Sequence, residues 1–269
     1  MKQLFHIENS GDSNGQQTLS LRLGEKHGSF AITNRNGTEL DQLVYCSAEG
    51  WTENELTALL SAYPVLKENY YQVMVSYDLP QSIFVSSRDS NQDDGGLLLN
   101  ASGKSIGRST VITELVGEWQ LNNIYAVPKE LHEWLGQQFP TAKFWHQYSI
   151  ALRNTNAGSA PAVLNVDFRT DDLTVTAING GKFLLAQNFV YSTPEDVLYY
   201  LLKICQQFSL SQQELQLQLS GLIDKQSSLY KELYQYFIHI KFREADWQQK
   251  GEHPQHFFTS LNDLAKCAS

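Results

Sequence analysis

The chain has 269 residues and a formal net charge of −9, which argues against binding a phosphate backbone as its main task, and no Lys/Arg run builds a local basic groove. Hydrophobic residues make up 42% and charged residues 18%, a balance that buries one large or two modest cores and excludes a disordered chain. Three cysteines, odd in number and far apart, read as the reduced thiols of a cytoplasmic protein, and no apolar run suggests a signal peptide or membrane span.

Residues 1–18 are polar and are expected to form a loose arm. Leu19, Leu21 and Leu23 alternate with Ser20 and Arg22, a strand pattern. Turns at Gly24–Gly28 and Asn34–Thr38 then separate two further strands, Ser29–Thr33 and Glu39–Tyr45. Thr52 and Glu55 have capping-box spacing and open a helix with a stripe of Leu56, Leu59, Leu60 and Tyr63. Tyr71–Tyr77 and Ser82–Ser86 read as strands around Asp78-Leu79-Pro80. Residues 88–108 read as a long loop, a candidate lid or disordered excursion. Thr110–Trp119 has a helical pattern, Ile124–Val127 is a short strand, and Pro128 precedes a helix with Leu131, Trp134 and Leu135 on its core face. Lys143–Leu152 reads as a strand, and Asn154–Pro161 is the best linker in the chain.

The second half opens with three strands, Val163–Phe168, Leu173–Ile178 and Phe183–Val190, with Asn179-Gly180-Gly181 supplying positive φ angles for a tight hairpin. Thr193 caps the next helix, with Pro194 at its first position and Glu195 and Asp196 at the positive end of its dipole. A strand at Leu215–Leu219, a helix at Gln226–Tyr236, a strand at Phe237–Phe242 and a closing helix through Leu261 and Leu264 complete the pattern. The order strand, strand, strand, helix therefore occurs twice. Leu164 follows Leu19 by 145 residues, Val175 follows Phe30 by 145, and Thr193 follows Thr52 by 141. Meandering strands followed by a helix, occurring twice, predict a duplicated α/β architecture rather than a parallel doubly wound sheet.

The segment VLNVDFRTDDLTVTAINGGKFLLAQNF resembles the second-domain hairpin of bacterial actin-like assembly proteins of the pilus and secretion-platform type, and NIYAVPKELHEWLGQQFP resembles their connecting region. Over nearly its full length the chain is similar to an uncharacterised bacterial family of actin-like fold that carries a domain-of-unknown-function label. The resemblance implies a duplicated actin-like ATPase (ribonuclease H-like) fold, with two mixed-sheet domains around a cleft. The expected division is 1–153, with the insertion at 88–108, and 154–269 with the C-terminal helix.

In nucleotide-binding members of that fold, two Asp-x-Gly hairpin turns clamp the phosphates and a metal ion, because glycine lets backbone amides approach phosphate and carboxylates hold hydrated Mg2+. Neither turn keeps both residues here. Arg22-Leu23-Gly24 has Arg in place of Asp, and Asp167-Phe168-Arg169 has Arg in place of Gly. The later glycine pair, which packs on adenosine, corresponds to Ser220-Gly221-Leu222, where only Gly221 remains. Strand alternation puts Asp167 and Arg169 on one face, so Arg169 is expected to neutralise Asp167. The resemblance thus implies a degenerate ATP site in a non-catalytic binding or scaffold module with a protein partner, with no catalytic residue, metal ligand or cofactor assigned. Two alternatives stand beside it. One is a divergent ATPase or kinase that binds ATP and Mg2+ through Asp167 with Asp171 or Asp172; the other is metal-free binding of a small anion by Arg22 and Arg169 facing each other.

Other motifs carry less. Gly103-Lys104-Ser105 lacks the P-loop glycine spacing, and His253 and His256 lie in a polar stretch without a third metal ligand at a fixed offset.

Overall fold

A computed structural model describes residues 1–9, 16–88, 94–104, 106–155, 161–247 and 253–267. The chain divides into two compact units, Met1–Arg153 with Trp247–Glu252 and Leu261–Ser269, and Asn154–Asp246 with His253–Ser260.

The first unit runs β1 (Lys2–Glu8), β2 (Gln17–Gly24), β3 (His27–Asn34), β4 (Leu40–Ser47), α1 (Glu53–Ala62), β5 (Gln72–Asp78), β6 (Ser82–Ser86), α2 (Gly95–Ala101), β7 (Ser109–Val116), β8 (Leu121–Pro128), α3 (Lys129–Gln138), β9 (Lys143–His146) and α4 (Gln147–Arg153). A six-stranded sheet has the order β1-β4-β3-β2-β5-β9, and a second sheet the order β6-β8-β7. The alternation in β2 has a direct consequence. Leu19, Leu21 and Leu23 enter a core with Leu56, Leu59 and Leu60 of α1 and Leu131 and Leu135 of α3, while Ser20 and Arg22 are buried on the opposite face. Thr52 and Glu55 form the expected capping box, with the Thr52 amide donating to Glu55 Oε2 at 3.0 Å and the Glu55 amide to Thr52 Oγ1 at 3.4 Å.

The second unit runs β10 (Val163–Phe168), β11 (Asp172–Asn179), β12 (Lys182–Val190), α5 (Pro194–Gln207), β13 (Gln216–Gly221), α6 (Ser228–Tyr236) and β14 (His239–Phe242), and α7 (Thr259–Lys266) closes the chain. Gly180 and Gly181 take φ of +55° and +72°, the two positive values that a two-residue hairpin turn requires. Thr193 and Asp196 cap α5 reciprocally, and Val197, Leu198, Leu201, Ile204 and Cys205 give it a buried face.

The duplication is real at the level of topology. The order β4-β3-β2-β5-β9 matches β12-β11-β10-β13-β14, with two antiparallel pairings followed by two parallel ones in each. No helix among the described residues is long and apolar enough to cross a membrane.

Five expectations need correction. Lys2–Glu8 is an edge strand paired antiparallel with β4, so the arm is loose neither in pattern nor in pairing there; Phe5 packs edge-on against Tyr45. Residues 109–116 are a strand: the β-branched run Thr110-Val111-Ile112-Thr113 pairs with β8, and its helical spacing was incidental. Within 88–108, residues 95–101 form α2, whose Leu99 shares a small core with Ile124 and Ala126; the turn-rich flanks hid the Leu97-Leu98-Leu99 run, and residues 89–93 and 105 lie outside the described set. Lys143–Leu152 splits into β9 and α4, because a helix whose Gln147, Tyr148, Ser149, Ile150 and Leu152 are all buried has no amphipathic period to read. Finally, Leu261–Ser269, like Trp247–Glu252, clusters with the first unit rather than with Asn154–Asp246 and His253–Ser260, and within that unit Leu261 and Leu264 are buried and Asn262 Nδ2 donates to the Gly37 carbonyl at 3.2 Å.

Candidate functional site

In open α/β sheets the ligand end is the carboxyl end of the parallel strands. The predicted residues of each unit lie at that end of its own sheet, Arg22 and Gly24 on β2 and Asp167 with Arg169 at the end of β10.

In the second unit, Asp167 is paired across the β10–β13 ladder with Ser220, whose hydroxyl donates to Asp167 Oδ1 at 2.9 Å. Arg169 is buried at 3% exposure, so its guanidinium needs partners from its own surroundings. It finds three. Nε donates to Asp172 Oδ1, Nη2 donates to Thr174 Oγ1 at 2.9 Å, and Nη1 lies 3.7 Å from Asp167 Oδ2. The expected Asp167–Arg169 pair is therefore present, but Asp172 is the closer carboxylate. Asp171 sits in the turn before β11, where its carbonyl accepts from the Tyr191 amide at 3.0 Å. Gly221 has φ +78°, and a Cβ built on it would stand 2.1 Å from the Phe168 carbonyl oxygen. The glycine is thus held by a close approach of β13 to β10, one residue before the Leu222 amide donates to the same carbonyl at 2.8 Å.

In the first unit, Arg22 is engaged by Asp78, which lies at the end of the neighbouring parallel strand. Nη2 and Nε donate to Asp78 Oδ2 at 2.6 and 3.1 Å, and His27 Nε2 lies 3.2 Å from the same oxygen. All three side chains are at most 5% exposed. The His27 ring stacks on Tyr45 at 5.9 Å and covers Gly24 so closely that a Cβ there would stand 2.0 Å from the imidazole. The Gly24 carbonyl accepts from Trp51 Nε1 at 2.7 Å. An imidazole and an indole thereby both rest against Gly24.

In the same unit a buried polar network joins β5, β6, β8, β9 and α4. Ser76 donates to Gln147 Oε1 at 2.8 Å, and Ser82 and Ser149 flank Asn123 at 2.5 and 2.9 Å. Burial lowers His146 to about 4, so its imidazole is neutral. Nδ1 accepts from the Tyr148 amide at 3.2 Å, which leaves the proton on Nε2 for the Leu79 carbonyl at 3.0 Å. Burial likewise pushes Glu114 up to about 7, opposed by the His146 amide, which donates to it at 2.9 Å, and by Ser149 and Arg153.

The fold thus brings together Asp167, Arg169, Asp172 and Gly221 in one unit, and Arg22 and Gly24 in the other. It adds residues that the sequence did not disclose: Asp78, His27 and Thr174. Asp78 carried one usable signal, since β5 follows α1 and a parallel β2–β5 ladder places Asp78 opposite Gly24. His256, one of the two histidines considered as metal ligands, is buried with Nε2 2.7 Å from the Ile223 carbonyl and its ring 4.2 Å from that of Phe242. Lys104 of the rejected P-loop motif donates to the Pro80 carbonyl at 2.7 Å, and burial lowers its pKa.

With this arrangement in view, a family model described as "Protein of unknown function (DUF3822)" matches residues 7–240. The chain belongs to the DUF3822 family. No functionally curated protein matches it. A crystal structure from Bacteroides thetaiotaomicron VPI-5482, described as a protein with actin-like ATPase fold and unknown function, is similar at TM-score 0.79 and 19% identity, covering 96% of this chain and 99% of that one. The PilM-PilN type IV pilus biogenesis complex is similar at TM-score 0.60 and 11% identity, with 93% and 98% covered. The ethanolamine utilization protein EutJ from Carboxydothermus hydrogenoformans follows at 0.52 and 10%, with 97% and 92% covered. These likenesses establish the actin-like ATPase fold for this DUF3822 member and nothing about its chemistry.

Proposed function

We propose that this chain is a non-catalytic binding or scaffold module of the cytoplasm, an actin-like fold whose ATP site is degenerate and whose ligand is another protein. The observation that carries the reading is the internal pairing at both strand ends. A working phosphate clamp presents backbone amides beside glycine and a carboxylate that holds hydrated Mg2+. Here the imidazole of His27 lies over Gly24, Arg22 is engaged by Asp78, and Asp167 and Asp172 both face Arg169. The same pairing counts against an anion clamp, because each guanidinium already has a carboxylate of its own unit. The fold's occurrence in the PilM-PilN complex is in keeping with a protein partner.

A thermal-shift titration with ATP, ADP and Mg2+ tests the reading on wild type and Asp167→Ala. A ligand at 100 times its Kd that binds only the folded state adds about 2.7 kcal/mol, a rise of several degrees. The expected result is no shift at millimolar nucleotide. A Mg2+-dependent rise that Asp167→Ala abolishes would restore the ATPase reading and overturn this one.

A further inference from the structure

Two adjoining clefts of the first unit share a wall made of Trp51 and Leu131. The first, about 350 Å3, lies between α1 and α3 and is lined by Trp51, Trp134, Glu53, Glu130 and Glu133 among others. Its lining holds three carboxylates and no cation. Glu133 reaches Lys129 at 3.6 Å, whereas no ion pair engages Glu53 or Glu130 among the described residues. The second cleft, about 520 Å3, has a different character: Leu79, Ile106, Ala126, Pro128 and Leu131 make it largely apolar, and its two charges, Glu25 and Arg108, are of opposite sign. Trp51 stands between the two with its indole held by the bond to the Gly24 carbonyl, so its faces are presented in a fixed orientation.

We propose that this double cleft binds an extended segment of a partner protein, placing a Lys or Arg side chain against Trp51, Trp134, Glu53 and Glu130 and a large apolar side chain in the neighbouring cleft. The inference rests on the scaffold reading and names the chemistry of the partner. Two carboxylates without a cation, beside two indoles in a concave wall, suit an ammonium or guanidinium group through charge and cation–π attraction. A free amine would fill only the smaller cleft. The larger apolar cleft next to it requires an occupant with a second anchor one or two residues away, which a peptide in extended conformation supplies.

The test is selection of random displayed heptapeptides on the full-length protein, followed by titration of a synthetic peptide of the enriched sequence, read by tryptophan fluorescence. The expected enrichment is Lys or Arg near a Leu, Ile, Met or Phe. The double change Glu53→Gln with Glu130→Gln should weaken binding about threefold to tenfold while the protein stays folded, its Tm lowered by a few degrees at most because both residues lie in the first turn of a helix, and Glu53→Asp with Glu130→Asp should restore most of the binding. Four outcomes would each overturn the proposal: no enrichment, enrichment of acidic peptides, affinity indifferent to both carboxylates, or arginine amide alone binding as tightly as the peptide. A dimer in sedimentation velocity that the Gln variants dissociate would make a second copy the occupant and would also overturn it. Nucleotide binding with intact peptide binding would remove the degenerate-site reading alone, whereas loss of peptide binding with no nucleotide shift would remove only this one.

Discussion

Arg22 and Asp167 occupy the same register position in the two sheets: Arg22 is paired with Ser76 across the parallel β2–β5 ladder, and Asp167 with Ser220 across the parallel β10–β13 ladder. The duplicated framework thus carries opposite charges at equivalent points, and each is answered locally, Arg22 by Asp78 and Asp167 by Arg169 with Ser220.

The Arg22–Asp78 pair is the more deeply buried of the two and therefore the more sensitive to mutation. Asp78→Ala leaves the buried Arg22 guanidinium without its main counter-charge and should cost about 3–5 kcal/mol in urea unfolding. Arg22→Met together with Asp78→Leu should recover most of the loss, because no uncompensated charge then stays in the interior. Recovery of less than about half would mean that the pair stabilises the fold in its own right.

In the second unit the two carboxylates should differ. Asp172→Ala removes the nearer acceptor of Arg169 and should cost about 2–3 kcal/mol, as for a hydrogen bond to a charged group. Asp167→Ala leaves Arg169 bonded to Asp172 and Thr174 and should cost about 1 kcal/mol. Comparison of urea midpoints decides the order.

Gly221→Ala combines a positive φ with a Cβ 2.1 Å from the Phe168 carbonyl, so it should lower the melting temperature by several degrees or prevent folding. At Gly24→Ala the nearest obstacle is the His27 ring, a side chain rather than backbone. A double-mutant cycle with His27→Ala should therefore return a coupling of about 1–2 kcal/mol, the alanine being tolerated once the imidazole is gone.

Glu114 and His146 should give an unusual pH profile. Glu114, raised to about 7, is protonated in the folded state while an unfolded carboxyl is ionised, so its contribution falls as pH rises from about 4.5 to 7. His146, lowered to about 4, is neutral in the folded state while an unfolded imidazole is charged, so its contribution is complete above about 6.5 and is lost as pH falls toward 4. Each effect is on the order of 3 kcal/mol, and the two oppose across the same window. Glu114→Gln removes the opposing contribution, so over a fall from about pH 6.5 to 4.5 it should lose about 3 kcal/mol more stability than wild type. Urea midpoints at four pH values would show it, and parallel curves for the two proteins would refute the assignment.

The sequence by itself determined the three-strand-and-helix units, the Thr52–Glu55 capping box, the Thr193 N-cap, the Gly180-Gly181 turn and the Asp167–Arg169 pair. All of these depend on residues within a few positions of one another, where period, cap and turn chemistry act. Tertiary structure decided the rest. Asp78 and His27 meet Arg22 only because β5 lies parallel beside β2 and the β2–β3 hairpin folds the imidazole back over Gly24. Likewise the burial of α4 on all sides erased its helical period, and the β7–β8 ladder overrode the helical spacing of residues 110–119. Trp134, which the sequence places on the core face of its helix, lines one cleft together with Trp51 because α1 and α3 lie side by side on the same core. Long-range strand order, which local periodicity does not encode, determines which charges find partners and which remain for another molecule.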